Sequence, residues 1–406
     1  MLPGDEPFDS KGAFALEPSL AFLNHGSFGA RLHVVLAAQA AMRARLERNP
    51  MQFFVRDLEP LLDEARAAVA TLVRADPQDL VFVPNASTAV SAILRSLDLS
   101  PGDELLTTDH TYGACKNALA FVAERTGARV VIARVPFPLR DPSEVVAAIA
   151  RAATDRTKLA LIDHITSPTG LVFPIGEIVH ALRDRGIDTL VDGAHALGMV
   201  DVDLESMGAA YWTANAHKWL LCPVGTAVLH VRRDRQSTVR PTVISHGAAS
   251  SRTDRSRYLQ EFDWPGTVDP TGAVVVPQAI AALESIWPGG LPALRERNRL
   301  LALRGRDAIA AALGVESPAP DSMIGALAAL ILPHGTSHGS SALDRDPLQE
   351  ALAARGIEVP VVPWPKTGQR ILRISAQAYV RFTDIERLVA ALRELGELGE
   401  LGACAR

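Results

Sequence analysis

The chain has 406 residues, of which 48% are hydrophobic and 21% charged, a size and composition typical of a globular protein with two domains. A formal net charge of −5 argues against nucleic acid or a membrane surface as a partner, and no apolar run reaches the roughly 18 residues that a membrane-spanning helix needs. The three cysteines, Cys115, Cys222 and Cys404, are far apart and form no C-x-x-C pair, so neither a disulfide framework nor a metal site is predicted.

The N-terminal part joins a polar start to a segment that contains two glycines. Its first residues are polar and acidic, unlike a secretory signal, so we expect a cytoplasmic protein. Residues 21–30, AFLNHGSFGA, combine a short apolar run with small residues that let the backbone approach another group closely. Helical periodicity follows over residues 32–46 and 58–73.

From residue 80 onward, short apolar segments alternate with helical patterns. The helices predicted between these segments cover residues 88–97, 114–125, 142–152 and 175–185. The alternation predicts an α/β fold with a mainly parallel sheet sandwiched by helices, in which ligands bind beyond the carboxyl ends of the strands. The seven predicted strands cover residues 80–83, 104–107, 129–135, 159–162, 189–191, 210–213 and 225–231.

A smaller α+β domain is predicted after a long loop. Residues 240–270 are rich in proline, glycine, serine and arginine and are interpreted as a functional loop. Helices are then predicted over residues 272–286, 294–313 and 383–395, and strands over 326–332 and 371–375. We therefore divide the chain into an N-terminal segment that contributes to the active site (1–30), a large domain (31–275), a small domain (276–395) and a tail (396–406).

Two residues near predicted strand ends give the first chemical signal. Asp192 follows a strand and precedes a glycine, which by itself is typical of an ordinary turn. Lys218 lies 218 − 192 = 26 residues further on in an apolar setting, where a lysine either extends its amine to water or, once desolvated, becomes a nucleophile. The pair fits pyridoxal 5'-phosphate (PLP), which needs a lysine for an imine and a carboxylate against its pyridinium nitrogen.

The phosphate of such a cofactor needs an anion site. Residues 82–90, FVPNASTAV, predict a strand, a turn of small residues with Ser87 and Thr88, and a helix. The free N–H groups of a helix N-terminus and two hydroxyls can bind phosphate, although an ordinary N-cap explains the same residues equally well. Together with Asp192 and Lys218, the phosphate site is the favoured interpretation.

These segments belong to a longer series of motifs. In chain order they are LNHGSFGA (23–30), NPMQFF (49–54), FVPNASTAV (82–90), TTDHTYGA (107–114), DGAHALG (192–198), NAHKWL (215–220), WPGTVDPTG (264–272) and LRISAQAYV (372–380). In these motifs the chain resembles the class V aminotransferase family of fold type I PLP enzymes, and within it the isopenicillin N epimerase-like group. The resemblance implies the fold type I architecture and a homodimer with active sites at the subunit interface.

The resemblance also implies roles for individual residues. Lys218 would form the Schiff base, Asp192 would pair with the ring nitrogen, and Arg373 would bind the α-carboxylate of an amino-acid substrate. His110 or Tyr112 would stack on the pyridine ring or act as an acid or base. Of the remaining implied positions, His195 would lie near the phenolic oxygen, Ser167 would contact the cofactor, and the phosphate would be held by Ala86, Ser87, Asn215 and His217. Thr267 would reach the phosphate of the neighbouring subunit. Asn24 and His25 would contact the substrate, although His25 equally fits a turn residue.

The reaction itself stays open at this point. We favour epimerisation, in which Lys218 removes the α-proton and His110 or Tyr112 delivers one to the opposite face; elimination by a C–S lyase or cysteine desulfhydrase, and transamination, are the alternatives. Residues 356–370 contain no cysteine, so the persulfide chemistry of cysteine desulfurases is not expected. Ser167 stands where many fold type I enzymes have asparagine. The position of the substrate in those enzymes is therefore a weaker guide to its position in this chain. A catalytically silent binding protein is disfavoured because Lys218, Asp192 and Arg373 are all present.

Overall fold

A computed structural model describes residues 2, 3, 5, 10–332, 346–364 and 369–397 of the chain. Its strands are β1 (Ala21–Phe22), β2 (Leu80–Val83), β3 (Glu104–Thr108), β4 (Arg129–Ala133), β5 (Thr157–Asp163), β6 (Asp188–Asp192), β7 (Tyr211–Ala214), β8 (Ala227–Val231), β9 (Leu327–Ile331), β10 (Ile357–Glu358), β11 (Val361–Trp364) and β12 (Gln369–Ser375). Its helices are α1 (His25–Phe28), α2 (His33–Arg48), α3 (Pro50–Gln52), α4 (Leu58–Val73), α5 (Ala86–Arg95), α6 (Gly113–Thr126), α7 (Ser143–Ala152), α8 (Ile175–Arg183), α9 (Leu204–Met207), α10 (Arg257–Asp263), α11 (Thr271–Val274), α12 (Val276–Ser285), α13 (Gly290–Leu313), α14 (Pro347–Ala353) and α15 (Phe382–Glu397).

The central sheet has seven strands in the order β2-β8-β7-β6-β5-β3-β4. The pairs β3–β4, β3–β5, β5–β6 and β6–β7 are parallel, whereas β8 runs antiparallel to β2 and β7. Alternate residues of β5 belong to different apolar clusters: one cluster contains Ala160 and Ile162, and the other contains Leu159 and Leu161. Both faces of the sheet are therefore covered. The predicted α/β class with a mainly parallel seven-stranded sheet is confirmed.

The register of the parallel strands brings several polar residues to one edge of the sheet. Asp163 at the end of β5 is paired with Asp192 at the end of β6. Strand β7 ends at Ala214, so Asn215 and Lys218 follow at the same edge. The prediction ended β5 at residue 162, but the pairing with β6 continues through Asp163.

The small domain contains an antiparallel sheet in the order β11-β12-β9, and its middle strand β12 carries Arg373. Strand β1 pairs in parallel with β10, and the Leu23 carbonyl accepts a hydrogen bond from the Ser375 N–H at 2.9 Å. The N-terminal segment is thereby attached to the strand that carries Arg373. Strands β1 and β10 were not predicted because they span only two residues, too few to show a period. Strand β11 was not predicted because its four residues include Pro363, which argues against a strand. The domain boundaries stay predictions.

Two predicted segments differ in detail. Residues 272–286 form α11 and α12 rather than one helix, with Pro277 in the first turn of α12, where a missing N–H is tolerated. The loop over residues 240–270 contains α10, and Arg255 within it contacts Asp63 at 2.8 Å and Asp263 at 2.5 Å. Among the described residues, no helix is both long and apolar enough to cross a membrane. Cys404 lies outside the described residues.

Candidate active site

A cavity of about 210 Å3 lies at the edge of the sheet where β5, β6 and β7 end. Its position agrees with the rule that ligands of parallel sheets bind beyond the carboxyl ends of the strands. Nine residues that the sequence predicted for the site line this cavity: Ala86, Ser87, Tyr112, Ser167, Asp192, His195, Asn215, His217 and Lys218.

Lys218 places its amine beside His195, with Nζ 3.3 Å from Nε2 of the imidazole. Burial, reinforced by the positive charge of Arg373, lowers the pKa of the Lys218 amine to about 7. The indole of Trp219 donates a hydrogen bond to Nδ1 of His195 at 3.3 Å, and because an indole N–H cannot accept, the neutral imidazole must carry its proton on Nε2. That proton points at Lys218, whose amine can accept it only when uncharged. The site therefore favours the uncharged, nucleophilic form of the amine.

Asp192 presents a buried carboxylate at the end of β6. Its Oδ1 accepts a hydrogen bond from the Ala194 N–H at 2.9 Å, and its Oδ2 accepts one from the Cys115 thiol at 3.3 Å. Burial raises the pKa of Asp192, and within the described part of the chain no cation lies within 4 Å of it. A carboxylate in these surroundings favours a cationic ligand group such as a protonated ring nitrogen.

The N-terminus of α5 forms an anion site at the other end of the cavity. The side chain of Asn85 caps this helix by accepting from the Thr88 N–H at 2.8 Å. Asn215 Oδ1 accepts from the Ala86 N–H at 2.9 Å, which leaves the amide NH2 of Asn215 as a donor. The hydroxyl of Thr88 also contacts Asn85, at 3.0 Å, and Thr88 does not line the cavity, so Ser87 supplies the hydroxyl of this site. A phosphate fits this set of donors.

Arg373 is buried without a carboxylate partner in the part of the chain that the structure describes. Its guanidinium donates to the carbonyl of Ser167 and lies 3.4 Å from the Ser167 hydroxyl, while its Nε has no hydrogen-bond partner. Burial lowers the pKa of Arg373 to about 10, so the side chain is still charged at neutral pH. A buried charge of this kind needs an anion, and a substrate carboxylate fits the planar guanidinium.

The structure places His110 away from the cavity that Tyr112 lines. Nδ1 of His110 lies 2.8 Å from the Thr169 hydroxyl and Nε2 lies 3.2 Å from the Val135 carbonyl oxygen, so both ring nitrogens are engaged. Its ring packs edge-on against Trp364. The predicted stacking or acid–base role of His110 therefore has no support in this geometry, and Tyr112, two residues later at the start of α6, is the candidate.

Four other predicted residues also lie outside the cavity lining, and Arg373, which contacts the lining residue Ser167, is one of them. His25 is buried behind the lysine, with Nδ1 2.9 Å from the Tyr379 hydroxyl and Nε2 3.1 Å from the Lys218 carbonyl oxygen. Asn24 accepts from the Ser27 hydroxyl at 2.6 Å, and Ser27 lines the cavity in its place. Both side chains thus have partners within the protein, and their predicted substrate contacts stay predictions. Thr267 is exposed on its loop, and its predicted contact with a neighbouring subunit stays a prediction.

Sequence reasoning missed three polar residues of the cavity, Ser27, Asn85 and Asp163. Asp163 directly follows the apolar run of β5, the same pattern that singled out Asp192, but the predicted strand ended one residue too early. Asn85 precedes Thr88 by three residues, the spacing of an N-cap and the N–H that it accepts. Both signals were present in the sequence.

Gly29 explains why the N-terminal segment needs small residues. Its φ of 72° and ψ of 174° belong to a region that is accessible essentially to glycine alone. A Cβ at this position would lie 2.5 Å from the His217 carbonyl oxygen and 3.1 Å from the Lys218 Cα. The segment therefore packs directly on the backbone that carries the lysine, as the sequence predicted for residues 21–30.

We expect Gly29→Ala to lower the free energy of unfolding by more than the ~1–3 kcal/mol of backbone strain, because the methyl group also displaces the His217–Lys218 backbone. The control is Gly225→Ala, whose φ of 84° is equally unsuited to alanine but whose Cβ would meet nothing within 4 Å. Chemical denaturation of both variants measures the difference. Equal losses in the two variants would contradict the close approach.

Similarity to known proteins extends over most of the chain. The model of the family "Aminotransferase class-V" matches residues 34–388. The chain is 35% identical to an isopenicillin N epimerase of Amycolatopsis lactamdurans, over 94% of this chain and 97% of the relative. It is 32% identical to a putative L-cysteine desulfhydrase of Oryza sativa subsp. japonica, over 93% and 84% of the two chains. A solved cysteine desulfurase of Escherichia coli has a similar fold, with a TM-score of 0.77 at 20% identity over 97% and 100% of the chains.

Proposed function

Because the chain belongs to the class V aminotransferase family, we propose that this PLP-dependent enzyme is an amino-acid epimerase. Its substrate would be an amino acid, or a peptide that ends in one, whose α-proton is removed from one face and replaced on the other. The observation that carries the proposal is that Lys218 and Tyr112 line the same cavity, where burial lowers the pKa of the lysine amine to about 7. Inversion at the α-carbon needs two acid–base groups, and these two are available.

The residues of the cavity fit PLP. Ser87, Asn215, His217 and the N-terminus of α5 would hold the phosphate, Asp192 would face the ring nitrogen, and Lys218 would form the covalent link. When bound, PLP supplies an electron-poor ring that stabilises the negative charge left at the α-carbon. The chain's own residues bind the substrate and move its protons.

The lining side chains, together with Arg373 bonded to the lining residue Ser167, would divide this work. Arg373, with no protein carboxylate partner in the described residues, would fix the α-carboxylate and thereby the position of the α-proton. The neutral amine of Lys218 would take that proton. Burial raises the pKa of Tyr112, so its phenol is protonated at neutral pH and can deliver a proton from a second position.

The epimerase proposal is tested by Tyr112→Phe, followed by proton NMR in heavy water with a panel of L-amino acids and short peptides. We expect the variant to keep exchanging the α-proton for deuterium through Lys218, while inversion of configuration falls by about 10²-fold or more because the second acid–base group is lost. His110→Gln is the matched control, and its inversion rate should stay within about threefold of wild type because His110 does not line the cavity.

Either of two results would overturn the assignment of Tyr112: full inversion in Tyr112→Phe, or loss of inversion confined to His110→Gln. If every substrate kept its α-carbon configuration in the wild-type protein as well, the epimerase proposal itself would fail. Formation of a ketoacid from the substrate skeleton would then indicate transamination. Absence of exchange with every compound would favour a catalytically silent protein.

A C–S lyase is the second candidate, because relatives such as the rice protein are named as cysteine desulfhydrases. Elimination needs only Lys218, which can take the α-proton and pass it to the departing sulfur. Release of a thiol together with pyruvate would identify this reaction. The two thiols in the described residues, those of Cys115 and Cys222, are unsuited to carry sulfur, because both are buried and burial raises both thiol pKa values.

We also propose a homodimer with the cavity near the subunit interface. Phe28 lines the cavity and is nevertheless 73% exposed, an unusual position for a large aromatic side chain. Val224, six residues after Lys218, is 71% exposed, and Thr267 is exposed as well. A second subunit over these residues would cover the apolar side chains and bring its own Thr267 to the phosphate.

A further inference from the structure

Two buried carboxyl groups lie side by side in the cavity. Asp163 and Asp192 end neighbouring parallel strands in direct register, and such neighbours have backbones about 4.8 Å apart with side chains on the same face. Their exposed fractions are 2% and 3%, and both line the cavity. The role proposed above for Asp192 gives no function to Asp163.

The groups that face this pair do not neutralise two negative charges. Asp192 faces the thiol of Cys115 and the amine of Lys218. Asp163 accepts a hydrogen bond from the Tyr112 N–H, and the only positive charge that acts on it from α6 in the described chain is that of Lys116. No lysine or arginine of the described chain lies within 4 Å of either carboxyl group. Two carboxylates in one buried site disfavour each other's ionisation, and burial together with the charge of Asp192 raises the pKa of Asp163.

A chain of hydroxyls beside Asp163 shows where a proton is needed. Asp163 Oδ2 lies 2.8 Å from Thr111 Oγ1, which lies 2.7 Å from Thr107 Oγ1, which in turn lies 2.9 Å from the Leu161 carbonyl oxygen. These three oxygen–oxygen contacts need three protons, but the two threonine hydroxyls supply only two. If Asp163 carries the third, every contact is a hydrogen bond that runs in one direction toward the Leu161 carbonyl.

We propose that Asp163 is protonated at neutral pH and donates to Thr111, so that the Asp163–Asp192 pair holds one proton and Asp192 is the single anion that faces the cofactor. Asp163 is thus a positioning residue: it adds a fixed hydrogen-bond donor next to Asp192 without a second negative charge. The part that concerns the cofactor rests on the proposed function, whereas the proton on Asp163 belongs to the protein alone.

Infrared spectroscopy of the cofactor-free protein tests the proton directly. We expect the carbonyl band of a buried protonated carboxyl group at pH 7, its loss in Asp163→Asn, and its shift to higher frequency in Thr111→Val, where the acceptor of the hydrogen bond is removed. In Asp192→Asn the band should disappear at lower pH than in the wild-type protein, because the neighbouring negative charge is gone. Asp109→Asn, at the end of the adjacent strand β3 and 3.9 Å from Arg134, should keep the band.

Cofactor binding provides the second measurement. Because asparagine has the shape of a neutral carboxyl group, Asp163→Asn should change the dissociation constant for PLP at pH 7 by no more than about threefold, whereas Asp192→Asn should weaken binding by about tenfold or more. Absence of the band at pH 7, its survival in Asp163→Asn, or a tenfold loss of PLP affinity in Asp163→Asn would overturn the proposal. Should Asp163→Asn fail to fold, the wild-type, Thr111→Val and Asp192→Asn spectra still decide it. Failure of Lys218 to bind PLP covalently would instead reject the proposed function and leave the proposed protonation of Asp163 intact.

Discussion

Replacing Lys218 with alanine is expected to abolish covalent capture of PLP and to lower α-proton exchange by about 10⁴-fold, the upper range for loss of a general base. The variant loses both the amine that forms the link and the base that the mechanism requires. Its neighbour His195 cannot substitute for the base, because burial keeps the pKa of this imidazole well below its usual value. Other contacts of the cavity stay in place, so PLP should still bind non-covalently.

Borohydride treatment followed by mass spectrometry of the peptides measures the covalent link. The control is Lys116→Ala, since Lys116 is a second partly buried lysine whose pKa is lowered by burial, but its Nζ donates to the Asp109 carbonyl at 2.6 Å. We expect the control variant to capture PLP on Lys218 as the wild-type protein does. Recovery of the modified peptide around Lys116, or an unmodified Lys218 in the wild-type protein, would contradict the assignment.

The same reaction should show a characteristic dependence on pH. Only the uncharged amine attacks a carbonyl, and the pKa of Lys218 is lowered from the usual lysine value of 10.5 to about 7. The rate of PLP capture should therefore rise as the pH increases through about 7 and level off above it. A lysine with an unshifted pKa would instead keep accelerating up to about pH 10.

The sequence was sufficient for the architecture and for the central pair of the site. Apolar strands alternating with helices predict a parallel sheet, and this rule places Asp192 and Lys218 at one edge because both follow strands. The need for a small residue such as Gly29 in the N-terminal segment was also predictable, since close backbone approach requires a residue without a side chain. These features depend on local patterns, which a single sequence contains.

Features that depend on tertiary contacts were beyond the sequence. The local sequence does not show whether His110 or Tyr112 faces the cofactor. Only the folded chain shows that the imidazole of His110 is held between Thr169 and the Val135 carbonyl. The arginine-rich loop gave no sign that Arg255 binds carboxylates of the same chain. Asp163 was missed because a strand end was placed one residue early, an error that the register with β6 corrects.

Arg373→Lys is expected to lower kcat/KM for an amino-acid substrate by a factor of roughly 30 to several thousand, which corresponds to the ~2–5 kcal/mol lost when one partner of a buried charged hydrogen-bonded pair is removed. Lysine retains the positive charge but not the planar pair of donors, and its shorter reach from β12 also breaks the contact with the Ser167 carbonyl. We therefore expect a large loss of kcat/KM even though the side chain keeps its positive charge.

The decisive comparison uses the substrate and its α-carboxamide, because the amide removes the carboxylate without changing the shape of the rest of the molecule. We expect the wild-type protein to prefer the carboxylate strongly and Arg373→Lys to lose most of that preference, while both proteins process the amide at similar low rates. Arg370→Lys is the matched control on the same strand, since Arg370 already pairs with Asp346 at 2.9 Å and should not affect the preference. If Arg373→Lys discriminated between carboxylate and amide as well as the wild-type protein does, the anion that Arg373 requires would have to lie elsewhere than on the α-carbon of the substrate.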